Sequence, residues 1–149
     1  MIRTFLLALV VLPAFAIAAP ALKDKPSQSL VGIWERTGHM QAGMPLVSDK
    51  QVHLQMFTAE GQWCYSYGGQ AFSPPSKFTM DRKQNPPTFD LNCQEKQFRP
   101  ANYRGIYKIE RDTLTMYFVM GDKGRPTTFE SSVEKPCSVW IFKRVQAND

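Results

Sequence analysis

The run "YRGIYKIERDTLTMYFVM", Tyr103 to Met120, decides the fold. Two strand-like runs flank the polar break "ERDT" at Glu110 to Thr113. In the second run Leu114, Met116, Phe118 and Met120 share one apolar face, while Thr115, Tyr117 and Val119 occupy the other. A period of two is what a pleated strand produces, because successive side chains point to opposite faces. With apolar or amphipathic residues on both faces, this strand belongs at the centre of a sheet or beneath a cover.

The same alternation extends in both directions, in short runs cut by Gly, Pro and Asp. In "QVHLQMF", Val52, Leu54 and Met56 fall on one face and Gln51, His53 and Gln55 on the other; "TAEG" then supplies a turn into "QWCYSYG", where Trp63, Tyr65 and Tyr67 share a face. "SKFTMDR" follows Pro74-Pro75, and "TFDLNC", with Phe89, Leu91 and Cys93 on one side, follows Pro86-Pro87. Downstream, "PTTFESSV" and "CSVWIFKRV" read as a closing pair. Counted from Gly32, this amounts to eight or nine strands with no helix of consequence, the spacing of an all-β sandwich or barrel.

Residues 1–18, "MIRTFLLALVVLPAFAIA", combine an early cation, an apolar run and an Ala-x-Ala end, and are expected to be a removable signal peptide. The run is broken by Pro13 and falls short of the about 20 residues a membrane span needs. Residues 19–29 read as a Pro, Lys and Ser-rich leader, 30–145 as one domain and 146–149 as a tail. The expected location is therefore periplasmic or extracellular, with no integral membrane span after cleavage. The chain holds 18 Lys and Arg against 13 Asp and Glu, a net charge of +5. Those charges are scattered singly, which argues against a nucleic-acid partner.

Cys64, Cys93 and Cys137 leave either one disulfide, in any of three pairings, with one thiol over, or no disulfide. Their spacing, with only two histidines, fits no metal template. His39 is expected in a loop and His53 on a solvent face. Asp81 and Asp90 read as turn and strand-end residues rather than an acid-base pair. With no nucleophile elbow, phosphate loop or metalloprotease helix, neither catalytic residues nor a cofactor is expected.

Gly32 two residues before Trp34, with Lys143 or Arg144 late on the final strand, resembles the structural signature of lipocalin and calycin barrels. That resemblance implies an antiparallel up-and-down barrel of about eight strands, whose indole closes one end beneath a cation from the last strand. A second resemblance spans Leu30 to Arg144. The ordered motifs Leu30, Gly32 and Trp34, then Pro86 and Asp90, then "RGIYKIERDTL", then "GRPTTFES" and finally Lys143-Arg144 are similar to an uncharacterised exported domain family of planctomycete bacteria. Its motif falls here on Asp90, Gly105, Tyr107, Asp112, Arg125, Pro126 and Phe129. The resemblance implies a lipocalin-like barrel outside the cytoplasm and no activity. Two departures stand out: Arg111 replaces a hairpin glycine, which argues against a tight turn, and Tyr117 replaces a cysteine.

Two uses follow for such a barrel. In the first, Trp63, Tyr65, Tyr67, Met116, Phe118 and Met120 line its interior and, with Arg125 at the rim, hold a small apolar or amphipathic ligand. In the second, the barrel is solid, and a surface carrying Trp140, Phe142 and Arg125 docks onto another exported protein. Arg125 itself is either tied to Asp112, Asp122 or Glu130 or grips an anion.

Overall fold

The computed structural model describes residues 29–46, 51–93 and 101–146, and among these every regular element is a strand. The expected signal peptide, the leader up to residue 28 and the end of the tail lie outside the described residues. In chain order the strands are β1 (Gly32–Gln41), β2 (Met44–Pro45), β3 (His53–Phe57), β4 (Gln62–Tyr67), β5 (Ser76–Asp81), β6 (Thr88–Cys93), β7 (Ala101–Glu110), β8 (Thr113–Met120) and β9 (Ser138–Arg144). Each barrel strand pairs antiparallel with the next, and β9 returns to pair with β1, closing an eight-stranded up-and-down barrel of lipocalin-like architecture. The two-residue β2 is a spur folded back on the upper end of β1.

The alternation of β8 sets the pattern of the interior. Leu114 pairs with Phe142, Met116 with Trp140 and Phe118 with Ser138, so these positions face inward together. Across β7, Ile109, Tyr107, Gly105 and Tyr103 face inward opposite Leu114, Met116, Phe118 and Met120. The core formed by Leu30, Trp34, Phe57, Trp63, Phe78, Phe89, Leu91, Tyr107, Leu114, Met116 and Phe142 is at most 4% exposed. Gly105 is required by this packing. A Cβ there would collide with the Tyr117 carbonyl and the Phe89 ring, so the strand must omit a side chain where Phe89 crosses it.

The lower end is sealed as the lipocalin-like signature implies, and the structure selects its cation. The Arg144 guanidinium lies 4.1 Å from the centroid of the Trp34 ring, whereas Lys143 faces outward and donates to Thr113 Oγ1 at 2.9 Å. Trp34 Nε1 donates to the Leu30 carbonyl at 2.8 Å, and Arg144 donates to the carbonyls of Ser29 (2.6 Å) and Val31 (3.1 Å). Gly32, at φ +137°, leaves space for that guanidinium: a Cβ there would sit 2.8 Å from Arg144 Nη1.

Three expectations need correction. First, "PTTFESSV" is not a strand. The linker 121–137 instead crosses the outside of the barrel as a strap, and β9 takes the place beside β8. Arg125 anchors it, with Nη1 donating to the carbonyls of Phe89 (2.7 Å) and Gly105 (2.9 Å) and Nη2 gripping both carboxylate oxygens of Asp90 (2.9 and 3.0 Å). Phe129 packs edge-on against Tyr117. The outward-facing Ile106 and Val139, which flank Tyr117 in the ladder, are each 1% exposed, so β8 is covered on both faces as its sequence requires.

Second, the β7–β8 turn is tight despite lacking glycine. Glu110 pairs with Thr113, leaving the two-residue turn Arg111-Asp112 with Arg111 at φ +57°. The full ladder on either side holds the residue in this left-handed conformation. Third, the possible disulfide does not form: Cys64, Cys93 and Cys137 are buried thiols, none bridged to another. Their placement explains it. Cys93 faces the interior from β6, Cys64 sits on the opposite face of β4 two strands away, and Cys137 lies on the strap with Sγ 3.4 Å from the Glu130 carbonyl.

Candidate functional site

The upper half of the barrel is built differently from its floor. β1 carries a register shift between Arg36 and Gly38, after which His39 pairs with Trp140. That shift keeps both Arg36 and His39 on the interior face, since their partners Phe142 and Trp140 point inward. On β3 and β4 the register sets Gln55 opposite Tyr65 and His53 opposite Tyr67. With Trp63 and Phe57 paired below them and buried, His53, Gln55, Tyr65 and Tyr67 all face inward.

The result is a cup lined by aromatic rings with polar edges. Its centre is Trp140, packed edge-on against Phe118 at 4.5 Å, with Tyr103 at 6.2 Å and His39 at 6.2 Å between ring centroids. The Arg36 guanidinium lies 6.0 Å from the same indole centroid. His53 meets Tyr67 edge-on at 4.3 Å, and Tyr65 lies against Trp63 at 5.4 Å. Gln55 is buried and accepts a 2.9 Å bond from Trp63 Nε1. By contrast, Trp140 Nε1 is buried and has no hydrogen-bond acceptor among the described residues.

Solvent reaches this cup. Arg36, His39, His53, Tyr65, Tyr103 and Trp140 are half-buried, Tyr67 is 40% exposed and Met120 is 55% exposed. The β4–β5 ladder comprises only Gln62 with Lys77 and Trp63 with Ser76, and above it the segment before β5 takes over: Ser73 N donates to the Tyr65 carbonyl at 2.7 Å and Ser73 Oγ accepts from Tyr65 N at 3.1 Å. Burial, then the Arg36 charge and then His53 push the His39 pKa below its usual 6.5. Burial and then Cys93 push the Tyr103 phenol upward.

The predicted lining residues separate into three groups. Tyr65 and Phe118 belong to the cup and Tyr67 to its lip, whereas Trp63 and Met116 lie in the sealed layer beneath. Met120 stands at the rim instead of inside, because the strand leaves the barrel there. Arg125 is on the outer wall, and its fork is occupied by Asp90 and two carbonyls rather than by Asp112, Asp122 or Glu130; Asp112 instead supplies a backbone acceptor to Arg144 N and Glu130 pairs with Lys135. An outer groove of about 510 Å³ runs beside it, between Asp90, Asn92, Asn102 and Arg104. Of the other motif positions, Gly105 and Asp90 converge with Arg125 on this wall, beside the Phe89 carbonyl, while the Tyr107 hydroxyl lies 3.7 Å from Met80 Sδ in the interior.

Trp140 and Phe142 are not on an outer docking face; both point inward, and Val139, Ile141 and Lys143 form the outside of β9. Neither histidine is a surface residue. His39 lies in β1, not a loop, and His53 lies on an interior face. One signal in the sequence pointed there. A hairpin pairing Phe57 with Trp63 forces His53 and Gln55 to share the face of Tyr65 and Tyr67, so an inward aromatic face brings the polar residues with it.

The chain matches no known protein family, no characterised protein and no solved structure. The geometry of the cup is therefore the ground for any functional reading.

Proposed function

We propose that this is a non-enzymatic exported binding protein that holds one small apolar or amphipathic molecule in the upper half of its barrel, in the periplasm or outside the cell. The observation that carries the proposal is the difference in sealing between layers: Trp34, Phe57, Met116 and Phe142 are at most 1% exposed, while the inward-facing rings above them remain open to solvent. An eight-stranded barrel is just wide enough to fill with its own side chains or to hold one small ligand. Here the lower half is filled. Rings with polar edges around a buried, unmatched indole N–H suit a ligand that is mostly apolar and carries a hydrogen-bond acceptor. Membership in the exported planctomycete family belongs to the same proposal and rests on the ordered motifs.

Native mass spectrometry of the protein purified from its own cells tests this. A reproducible small-molecule increment, released on denaturation and abolished when Tyr65 is replaced by a bulkier Trp, is the expected outcome. A bare mass, together with failure to bind any apolar or amphipathic probe, would overturn it.

A further inference from the structure

We propose that the outer groove on β6 and β7 is a second binding site, which takes an acidic saccharide, a sugar carrying a carboxylate of the uronic type. It lies on the far side of the wall from the cup and does not rest on the reading above. The register builds it. Asp90 stands across the ladder from Arg104, and Asn92 from Asn102, all four on the outward face because Phe89 and Leu91 point into the core. With Arg125 of the strap they line a depression of about 510 Å³, a size in the range of small-ligand sites.

What each side chain can exchange decides the ligand. The Asp90 carboxylate is gripped by Arg125, whose Nη2 donates to both of its oxygens at 2.9 and 3.0 Å, and not by its cross-strand neighbour Arg104. Arg104 is thus an exposed guanidinium whose side chain has no hydrogen bond or ion pair among the described residues. Its planar fork of donors matches a carboxylate. Asp90 keeps acceptor capacity, because each carboxylate oxygen has two lone pairs and the side chain is 45% exposed. The Asn102 side chain is exposed and likewise has no partner among the described residues, so it offers both a carbonyl and an amide to neighbouring hydroxyls. Exposed Lys77 and Thr79 extend the same two rows onto β5. A compact dianion such as phosphate meets the Asp90 carboxylate and is repelled, and a neutral sugar leaves Arg104 unmatched. A uronate answers both, with its carboxylate on Arg104 and its hydroxyls on Asp90 and Asn102.

The test is calorimetric titration of the full chain, processed as the cell processes it, with trigalacturonate, galacturonate, galactotriose and inorganic phosphate. Trigalacturonate is expected to bind about tenfold or more tightly than galactotriose or phosphate, the order of one charge-assisted hydrogen bond. Arg104→Gln should weaken trigalacturonate by a similar factor and leave galactotriose nearly unchanged. Should that variant fail to fold, Asn102→Asp makes the same test by placing a second carboxylate in the groove. Galacturonate binding as tightly as its trimer supports the site and assigns it to a free sugar acid; a tighter trimer supports it and assigns it to an acidic polysaccharide. Phosphate or galactotriose binding as tightly as trigalacturonate, binding of no probe, or unchanged trigalacturonate affinity in the folded variants would each overturn the inference. The binding-protein reading of the cup stands or falls separately, by the mass of the purified protein.

Discussion

Each end of the barrel contains a tryptophan with an arginine above it, and the two pairs have opposite fates. At the floor, Trp34 is fully buried, its Nε1 bonds the Leu30 carbonyl and Arg144 closes over it at 4.1 Å. At the mouth, Trp140 is half-exposed, its Nε1 meets no acceptor among the described residues and Arg36 stands off at 6.0 Å. The difference lies in the backbone nearby. The segment Ser29–Val31 folds under the barrel and offers carbonyls to both the indole and the guanidinium of the floor. The mouth gains no comparable lid from the described residues. The indole at the floor is therefore tied to the chain's own backbone, whereas the indole at the mouth keeps its donor unmatched.

The contrast can be broken by substitution. Trp34→Ala should lower stability most, by about 3 to 5 kcal/mol for a fully buried Trp; an unchanged denaturation midpoint would remove the plug from the account. Arg125→Met removes the four hydrogen bonds that anchor the strap to β6 and β7 and should cost about 2 kcal/mol, with faster amide exchange at Ile106 and Val139 but unaltered probe binding in the cup. Arg111→Gly relieves a left-handed non-glycine residue and should raise stability by about 1 kcal/mol, seen as a higher thermal midpoint.

Two smaller effects sharpen the comparison at the mouth. His39 has a folded pKa below 6.5, so the unfolded chain binds its proton more readily. The stability this group contributes is complete above 6.5 and falls as pH drops below it, and His39→Gln should flatten that acid side of the profile. Finally, Trp140→Phe removes a donor that makes no bond in the protein alone and should change stability by no more than about 0.5 kcal/mol. The same change at Trp34 strands the Leu30 carbonyl and should cost more.

The strands were legible because alternation survives in each of them, and the closing signature of Gly32, Trp34 and a terminal cation was legible because it depends on three residue types at fixed ends. The cup was not. Periodicity separates two faces but cannot say which is inside when part of the interior is wet, so His53 and Gln55 read as solvent-facing beside Leu54 and Met56. β9 is apolar on both faces, because Val139 lies on the wall covered by the strap and Phe142 lies in the core, so it concealed the inward aim of Trp140. The strap itself carries Thr and Phe at strand-like spacing. What diverts it is Arg125, whose four acceptors come from β6 and β7 and are assembled only in the fold.

The return of β9 to β1 has a consequence for how the molecule is made. Glu35 pairs with Lys143 and Trp34 with Arg144, contacts that join distant parts of the chain. Until β9 has been synthesised, β1 and β8 remain the two bare edges of an open sheet, and the floor lacks its guanidinium. Closure is thus a late event of high contact order, which slows folding and leaves exposed edges to be shielded in the interval. A chain released before Ser138 would have all the rings of the cup except the one at its centre.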